Sequence, residues 1–262
     1  MDKATVSGII IATGGILAGL LLEGGNVRQI LQPTAAMIVF GGTLGAILIQ
    51  FPLVVVFAAF GKLAHIFSAP TTDPLASVQE IIKYANRARR EGIVSLDEKL
   101  TEVQDPFLKK SLMLAVDGTE PQELRKMMEL DLDNQAERDE NLAQVFESAG
   151  GFSPTIGIIG AVLGLIQVMQ HLDKIDEVGK GIAVAFVATI YGVGAANLFL
   201  LPAAGKLRMR TREEQIVREM TLEGVISILE GMNPRMIETK LLGFLSDAAR
   251  HTEESSSQEQ TP

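Results

Sequence analysis

Residues 150–207 read GGFSPTIGIIGAVLGLIQVMQHLDKIDEVGKGIAVAFVATIYGVGAANLFLLPAAGKL. Two apolar runs, 151–170 and 181–204, flank a short charged connection at 172–180, and neither run holds an Asp, Glu, Lys or Arg. Each is close to the ~20 residues that carry an α-helix across the hydrocarbon of a bilayer. Both are rich in Gly and Ala, and each carries one proline, Pro154 and Pro202. The stretch therefore reads as a membrane hairpin.

Working outward, residues 4–22 form a first apolar span, with Gly8, Ala12, Gly15 and Gly19 recurring on one helical face. Residues 34–61 form a second, in which Gly41, Gly42 and Gly45 make another close-approach face. Such faces serve helix packing in membranes, within one subunit or between chains. Pro52 is expected to kink the second span near its far end. Gly24-Gly25-Asn26 marks the turn between the two.

The remaining segments are charged and helical in pattern. Asp73-Pro74 and Asp105-Pro106 read as helix starts, and Gly92 as a stop behind Arg87, Arg89 and Arg90. Residues 95–98, SLDE, open a further short helix. Thr119-Glu120-Pro121-Gln122 reads as a capping box with Thr119 as its cap. Leu124, Met127, Met128, Leu130 and Leu132 then begin one long helix running into the third span, and Phe107, Leu112 and Met113 give the preceding helix its apolar positions. After the fourth span, Ile216, Met220, Val225, Ile226 and Leu229 share a helix; Gly231 and Pro234 break it before a last one.

The fold class is thus an all-α membrane protein, four transmembrane helices with a helical cytoplasmic domain. Spans 1 and 2 occupy 1–67, the cytoplasmic helical domain 68–148, spans 3 and 4 149–206, and C-terminal cytoplasmic helices 207–250. Residues 251–262 hold no Ala, Val, Leu, Ile, Met, Phe, Tyr or Trp and read as a disordered tail.

Composition agrees. Hydrophobic residues make up 47% of the 262 and charged residues 21%, a combination explained by their segregation into separate blocks. The net charge of −9, with no basic stripe bearing aromatics, argues against nucleic-acid binding. Cysteine is absent and His65, His171 and His251 lie far apart, so neither disulfides nor a metal site is indicated. No nucleophile–base pairing or phosphate loop is visible, and no enzyme or cofactor is expected. Lys3, Lys62 and the cluster Lys206, Arg208, Arg210 and Arg212 flank one side of the spans, against Arg28, Lys174 and Lys180 on the other. The positive-inside rule places both termini in the cytoplasm.

Ionisable groups within a membrane are costly and kept for function. The four spans hold none. If the hairpin lines an ion path, the carboxylate that carries the ion comes from another chain. The hairpin itself offers small, neutral faces: Gly157, Gly160, Ala161 and Gly164 with Thr155 in the third span, and Ala185, Ala188, Thr189, Gly192 and Ala196 in the fourth. These suit either docking of a foreign helix or packing within the subunit. Pro154 and Pro202 read as helix-end devices or as hinges. The mixed charges from Arg87 to Glu98 read as a solvated face or a contact surface.

Four residue stretches resemble the MotA family of flagellar stator subunits: LEGGNVRQILQPTAAMIVFGGTLGA (22–46), ARREGIVSLDE (88–98), VFESAGGFSPTIGIIGAVLGLIQVM (145–169) and GIAVAFVATIYGVGAANLFLLPAAGKL (181–207). The resemblance extends over essentially the whole chain except the tail. The resemblance implies a multi-pass protein of the bacterial inner membrane, a pentamer around a dimer of the single-span partner MotB, whose membrane Asp carries the ion. It implies that Pro154 and Pro202 couple ion flow to movement. It places the charges that engage the flagellar rotor switch protein at Arg89 and Asp97, with Arg90 and Glu98 as neighbouring alternatives. Sodium-driven relatives have threonines at the positions of Ala161, Ala188 and Thr189; only Thr189 is kept here, which implies a proton as the transported ion. The ion-path lining is then Thr189, Ala161, Ala188 and Thr155. Two other readings stand beside this one: an energiser of outer-membrane transport resembling ExbB or TolQ, which the extra first span opposes, and a non-conducting membrane scaffold.

Overall fold

The computed structural model describes residues 3–66 and 73–245. The tail at 251–262, His251 and the side chain of His65 lie outside the described residues. Among the described residues the regular structure is helical throughout: α1 (Lys3–Leu22), α2 (Pro33–Gln50), α3 (Leu53–Ile66), α4 (Pro74–Glu91), α5 (Pro106–Val116), α6 (Pro121–Gln170), α7 (Ile175–Ala195), α8 (Leu201–Leu229) and α9 (Pro234–Leu242), with shorter turns between them. Four helical stretches are long and apolar enough to cross a membrane: Lys3–Leu22, Pro33–Gln50, Pro121–Gln170 and Glu177–Leu229.

The described residues form two compact units, 3–66 with 138–209 and 73–137 with 210–245. In the second unit three helices start by one device. A side-chain oxygen caps the helix and a proline follows: Asp73 accepts from Leu75 N–H at 3.0 Å, Asp105 from Phe107 N–H at 2.7 Å, and Asn233 from Arg235 N–H at 3.1 Å. Proline fits the first helical position because that N–H has no partner within the helix. Gly92, at φ 84°, ends α4 in a conformation that a side chain resists. The short helix expected at the SLDE segment is of 3-10 type and spans Ile93–Lys99.

The core of this unit joins Val78 and Ile81 of α4, Leu112 of α5, Leu124 and Met128 of α6 and Met220 of α8, all essentially buried. Each such side chain contributes about 1.5–3 kcal/mol by leaving water. Met113, Met127 and Leu130, expected among the apolar positions, are exposed instead. Leu124, Met128 and Leu132 repeat every fourth residue and already fill the inward stripe of α6, so Met127 and Leu130 fall to its side. The start of α6 also differs from the expected box. Glu120, not Thr119, is the cap, since its carbonyl accepts from Glu123 and Leu124 N–H.

In the first unit the second span is broken, not merely kinked. α2 stops at Gln50, and Phe51 is extended at φ −120°, ψ 144° before Pro52. A residue preceding proline is pushed out of the helical region by the ring, and proline offers no N–H to continue the ladder. The connection between the third and fourth spans is shorter than the sequence implied. Lys174 is the extended residue before α7, which begins at Ile175, six residues ahead of the apolar run. Glu177 in its first turn suits the positive end of the helix dipole and pairs with Lys174 at 3.3 Å.

Glu223 ties the second unit together. It accepts from Arg125 of α6 at 2.7 Å and pairs with Lys240 of α9. Desolvation pushes its carboxyl up, but the bonds from Lys240 and Arg125 outweigh it and hold the group below the ordinary 4.5. Its contribution is therefore complete above pH 4.5 and lost as acid protonates the folded carboxylate. Glu223→Gln is expected to cost about 1–2 kcal/mol at neutral pH, less than a fully buried pair because both cations stay partly in water. The variant should also flatten the acid limb of the stability profile, read by thermal unfolding of the detergent-solubilised chain between pH 3 and 7 (bracketing the range about the ordinary carboxylate value).

Candidate functional site

The third and fourth spans meet at backbone distance. A Cβ on Gly157 would stand 2.9 Å from the Ala188 carbonyl oxygen, and one on Gly192 would stand 2.6 Å from the Ser153 carbonyl oxygen. Gly164 likewise faces the backbone of Gly181 and Ala185. Glycine is required there because the two helices leave no room for a side chain. Of the two uses open to these small faces, a foreign helix or packing within the subunit, most of the residues serve the second: Gly157, Gly160, Gly164, Ala185, Gly192 and Ala196 are all buried. On α1 the opposite holds. Gly8, Gly15 and Gly19 have open space beside them, and no residue of that helix is buried.

The four residues read as lining separate accordingly. Ala188 is fully buried in the seam beside Ala35 and Val39 of α2. Thr155 is exposed, while Thr189 and Ala161 are half-buried. Both hydroxyls are turned back on their own helices, Thr155 donating to the Phe152 carbonyl at 2.7 Å and Thr189 to the Ala185 carbonyl at 3.2 Å. A hydroxyl held this way still presents its oxygen as an acceptor.

Neither proline ends a helix. Pro154 lies inside α6, which continues from Pro121 to Gln170. Pro202 follows a π-helical segment, Ala196–Leu200, that links α7 to α8 without a break and closes with Leu201 N–H donating to the Ala196 carbonyl. Such wide turns interrupt the regular ladder and gather at functional positions. The segment has no signature in residue pattern and was not expected. Just beyond it, Arg208 of α8 grips α6: it donates to both oxygens of Glu140, at 2.6 and 2.9–3.1 Å, and to Glu147 at 2.6 Å. The hydrogen bond from Arg208 holds the Glu147 carboxyl below its ordinary range, and the bonds that Arg208 gives to Glu147 and Glu140 hold its own guanidinium further up.

Tyr191 is a second residue that the sequence reading passed over. Its hydroxyl donates to the Ile30 carbonyl at 2.5 Å and accepts from Gln32 N–H at 3.3 Å. Its ring stacks on Phe40 with centroids 5.8 Å apart. It fastens the first connection to α7; a lone Tyr within an apolar span was the available signal. In the second unit Arg89, Arg90, Asp97 and Glu98 are all exposed. Glu98 pairs at 3.3 Å with Arg87, which also holds Glu91, so Arg87 braces the Gly92 turn while Arg89 and Arg90 are turned outward.

By fold and site this is a multi-pass helical membrane protein whose apolar runs carry no Asp, Glu, Lys or Arg. Residues 99–220 match the MotA/TolQ/ExbB proton channel family and residues 6–91 match the motility protein A N-terminal region. Motility protein A of Bacillus subtilis (strain 168) is 36% identical over 250 residues, covering 94% of this chain and 91% of that protein. A C. jejuni MotAB structure superposes with a TM-score of 0.89 at 30% identity, over 94% of this chain and 97% of that one. The flagellar MotAB stator complex of Bacillus subtilis superposes with a TM-score of 0.87 at 34% identity, over 95% and 99%. The chain belongs to the MotA/TolQ/ExbB proton channel family, a family of membrane channels and not of enzymes.

The seam makes a direct prediction. Gly192→Ala forces a methyl against the Ser153 carbonyl and the Pro154 Cα, and is expected to cost about 1–3 kcal/mol as overpacking. Gly194→Ala, where space is open, is the control that should leave the thermal midpoint unchanged.

Proposed function

We propose that the chain is a stator subunit of the bacterial flagellar motor. It sits in the inner membrane with both termini in the cytoplasm and forms, with a MotB-type single-span partner, a proton channel that turns ion flow into torque. The observation that carries this reading is the absence of any Asp, Glu, Lys or Arg from the apolar runs at 151–170 and 181–204, in a chain similar along its length to channel-forming relatives. A channel subunit so built leaves the ion-binding carboxylate to its partner. The exposed small face of α1 supports assembly as a ring of copies, five by the implied arrangement, around that partner.

Lys62, Lys206, Arg208, Arg210 and Arg212 near the span ends support cytoplasmic termini. Thr189 is the one hydroxyl kept of the three positions that are threonine in sodium-driven relatives, which supports a proton: a desolvated Na⁺ needs several oxygen ligands, whereas a proton needs one acceptor. Exposed Arg89, Arg90, Asp97 and Glu98 support contact with charged groups of the rotor switch protein. The match of residues 6–91 to the motility N-terminal region supports a motor subunit over an ExbB- or TolQ-like energiser.

Expression of this chain with a single-span partner bearing a membrane Asp, in cells lacking their own stators, should restore swimming. Swimming should persist in sodium-free medium and stop when a protonophore collapses the proton gradient. Dependence on sodium at fixed proton-motive force overturns the ion assignment, and no swimming with both proteins in the membrane overturns the stator reading. Reversing Arg89 and Arg90 together to Glu should reduce torque on a tethered bead by at least half while leaving assembly intact. Unchanged torque would place the rotor contact elsewhere.

A further inference from the structure

Hydroxyls in the membrane helices of this chain ordinarily return to their own backbone. Thr13 donates to the Ile9 carbonyl at 2.6 Å, and Thr155 and Thr189 do the same on α6 and α7. Thr43 of α2 and Ser153 of α6 depart from this. Thr43 is 8% exposed and Ser153 1%, and neither side-chain oxygen has a hydrogen-bond partner in the protein. In the interior of a membrane unit such an oxygen costs about 1–3 kcal/mol, so two of them call for an explanation.

Their places in the packing coincide. On α2, Thr43 stands one turn from Val39, which shares an apolar cluster with Ala188 of α7, and one turn from Ile47, which shares another with Ala149 of α6. On α6, Ser153 stands one turn from that same Ala149 and one turn from Gly157, which abuts the Ala188 carbonyl. Both hydroxyls therefore lie between the same two apolar levels of the α2–α6–α7 seam. The antiparallel register agrees: Gly42 faces Ile156 and Gln50 Nε2 bonds Ser148 Oγ at 3.2 Å. That register sets Thr43 opposite residue 155, within about 3 Å along the axis of Ser153 at 1.5 Å per residue. A third polar group belongs to the same level. Pro154 has no N–H, so the Gly150 carbonyl loses the donor that its helix would supply.

We propose that Thr43 Oγ1, Ser153 Oγ and the Gly150 carbonyl bind an internal water molecule beside Pro154. Three polar partners fall within the two to four that hold a buried water (an ordinary range of about 2–4). Water and Ser/Thr hydroxyls are the groups that re-satisfy a proline-freed carbonyl inside a membrane. The site belongs to the seam of a single chain, whatever partner stands outside it. Bound there, the water supplies the hydrogen bond that α6 lacks at Pro154 and lets the helix bend without exposing a bare carbonyl to hydrocarbon.

The test uses the full chain in its assembled complex in lipid nanodiscs. A map that resolves ordered solvent should contain density within hydrogen-bond distance of both hydroxyls, absent in Thr43→Val. Thr43→Val and Ser153→Ala should each lower the thermal midpoint by about 2–4 °C, and the double variant by clearly less than the sum, because both remove one shared ligand. Thr43→Ser, which keeps the oxygen, should retain the density. A dry seam in such a map, or a direct Thr43–Ser153 hydrogen bond, overturns the proposal. So do single variants that raise the midpoint and add independently in the double.

Discussion

The helices of the membrane unit touch through their backbones, and that contact depends on glycine. Gly157 and Gly192 stand against each other's chains, and Gly164 meets Gly181 and Ala185, so α6 and α7 approach as closely as helices can. Between spans bathed in lipid there is no water to expel, and tight van der Waals contact is what holds them. Once the small faces are consumed in this way, side chains such as Ile158, Ile159, Val162 and Phe186 remain exposed within the chain. The apolar outer surface is a consequence of the seam.

Charge obeys the complementary constraint. No Asp, Glu, Lys or Arg enters the apolar runs, so the ion pairs of the first unit lie outside them, among them Lys62 with Asp139, and Arg208 with Glu140 and Glu147. Arg208 closes its grip six residues after Pro202 and its π-helical approach, at the point where the regular ladder of the fourth span has been interrupted. A bidentate guanidinium–carboxylate pair has a fixed geometry that a lysine would not impose. It restores a definite position to α8 just beyond the irregular segment. The fold thus places two departures from ideal helix, Pro154 and the π segment, in neighbouring spans, and fixes the chain beyond the second with charge.

This architecture bears on what the protein does. A small, neutral hairpin sealed by its own glycines presents a surface without a charged side chain, while the second unit presents exposed charges on a well-packed helical core. Structure and relatives agree on the membrane helices and the family. Thr189, half-buried and with its hydroxyl proton given to Ala185, is left as an acceptor at the edge of the seam.

The sequence by itself determined the membrane spans, the helical class, the caps at Asp73 and Asp105, the stop at Gly92 and the lack of Asp, Glu, Lys and Arg in the apolar runs. These follow from hydropathy, from turn and cap chemistry acting over a few residues, and from composition. Only the tertiary structure decided which side of each small-residue face is used, for a helix shows the same glycines whether they meet a neighbour or open space. It buried Ala188, left α1 without a buried residue, turned Met127 and Leu130 outward, and joined Tyr191 to a carbonyl 161 positions away in sequence. It also broke the second span at Phe51, where pattern alone allowed a kink, and set the π turn before Pro202, where the register of the ladder depends on what the two helices around it pack against.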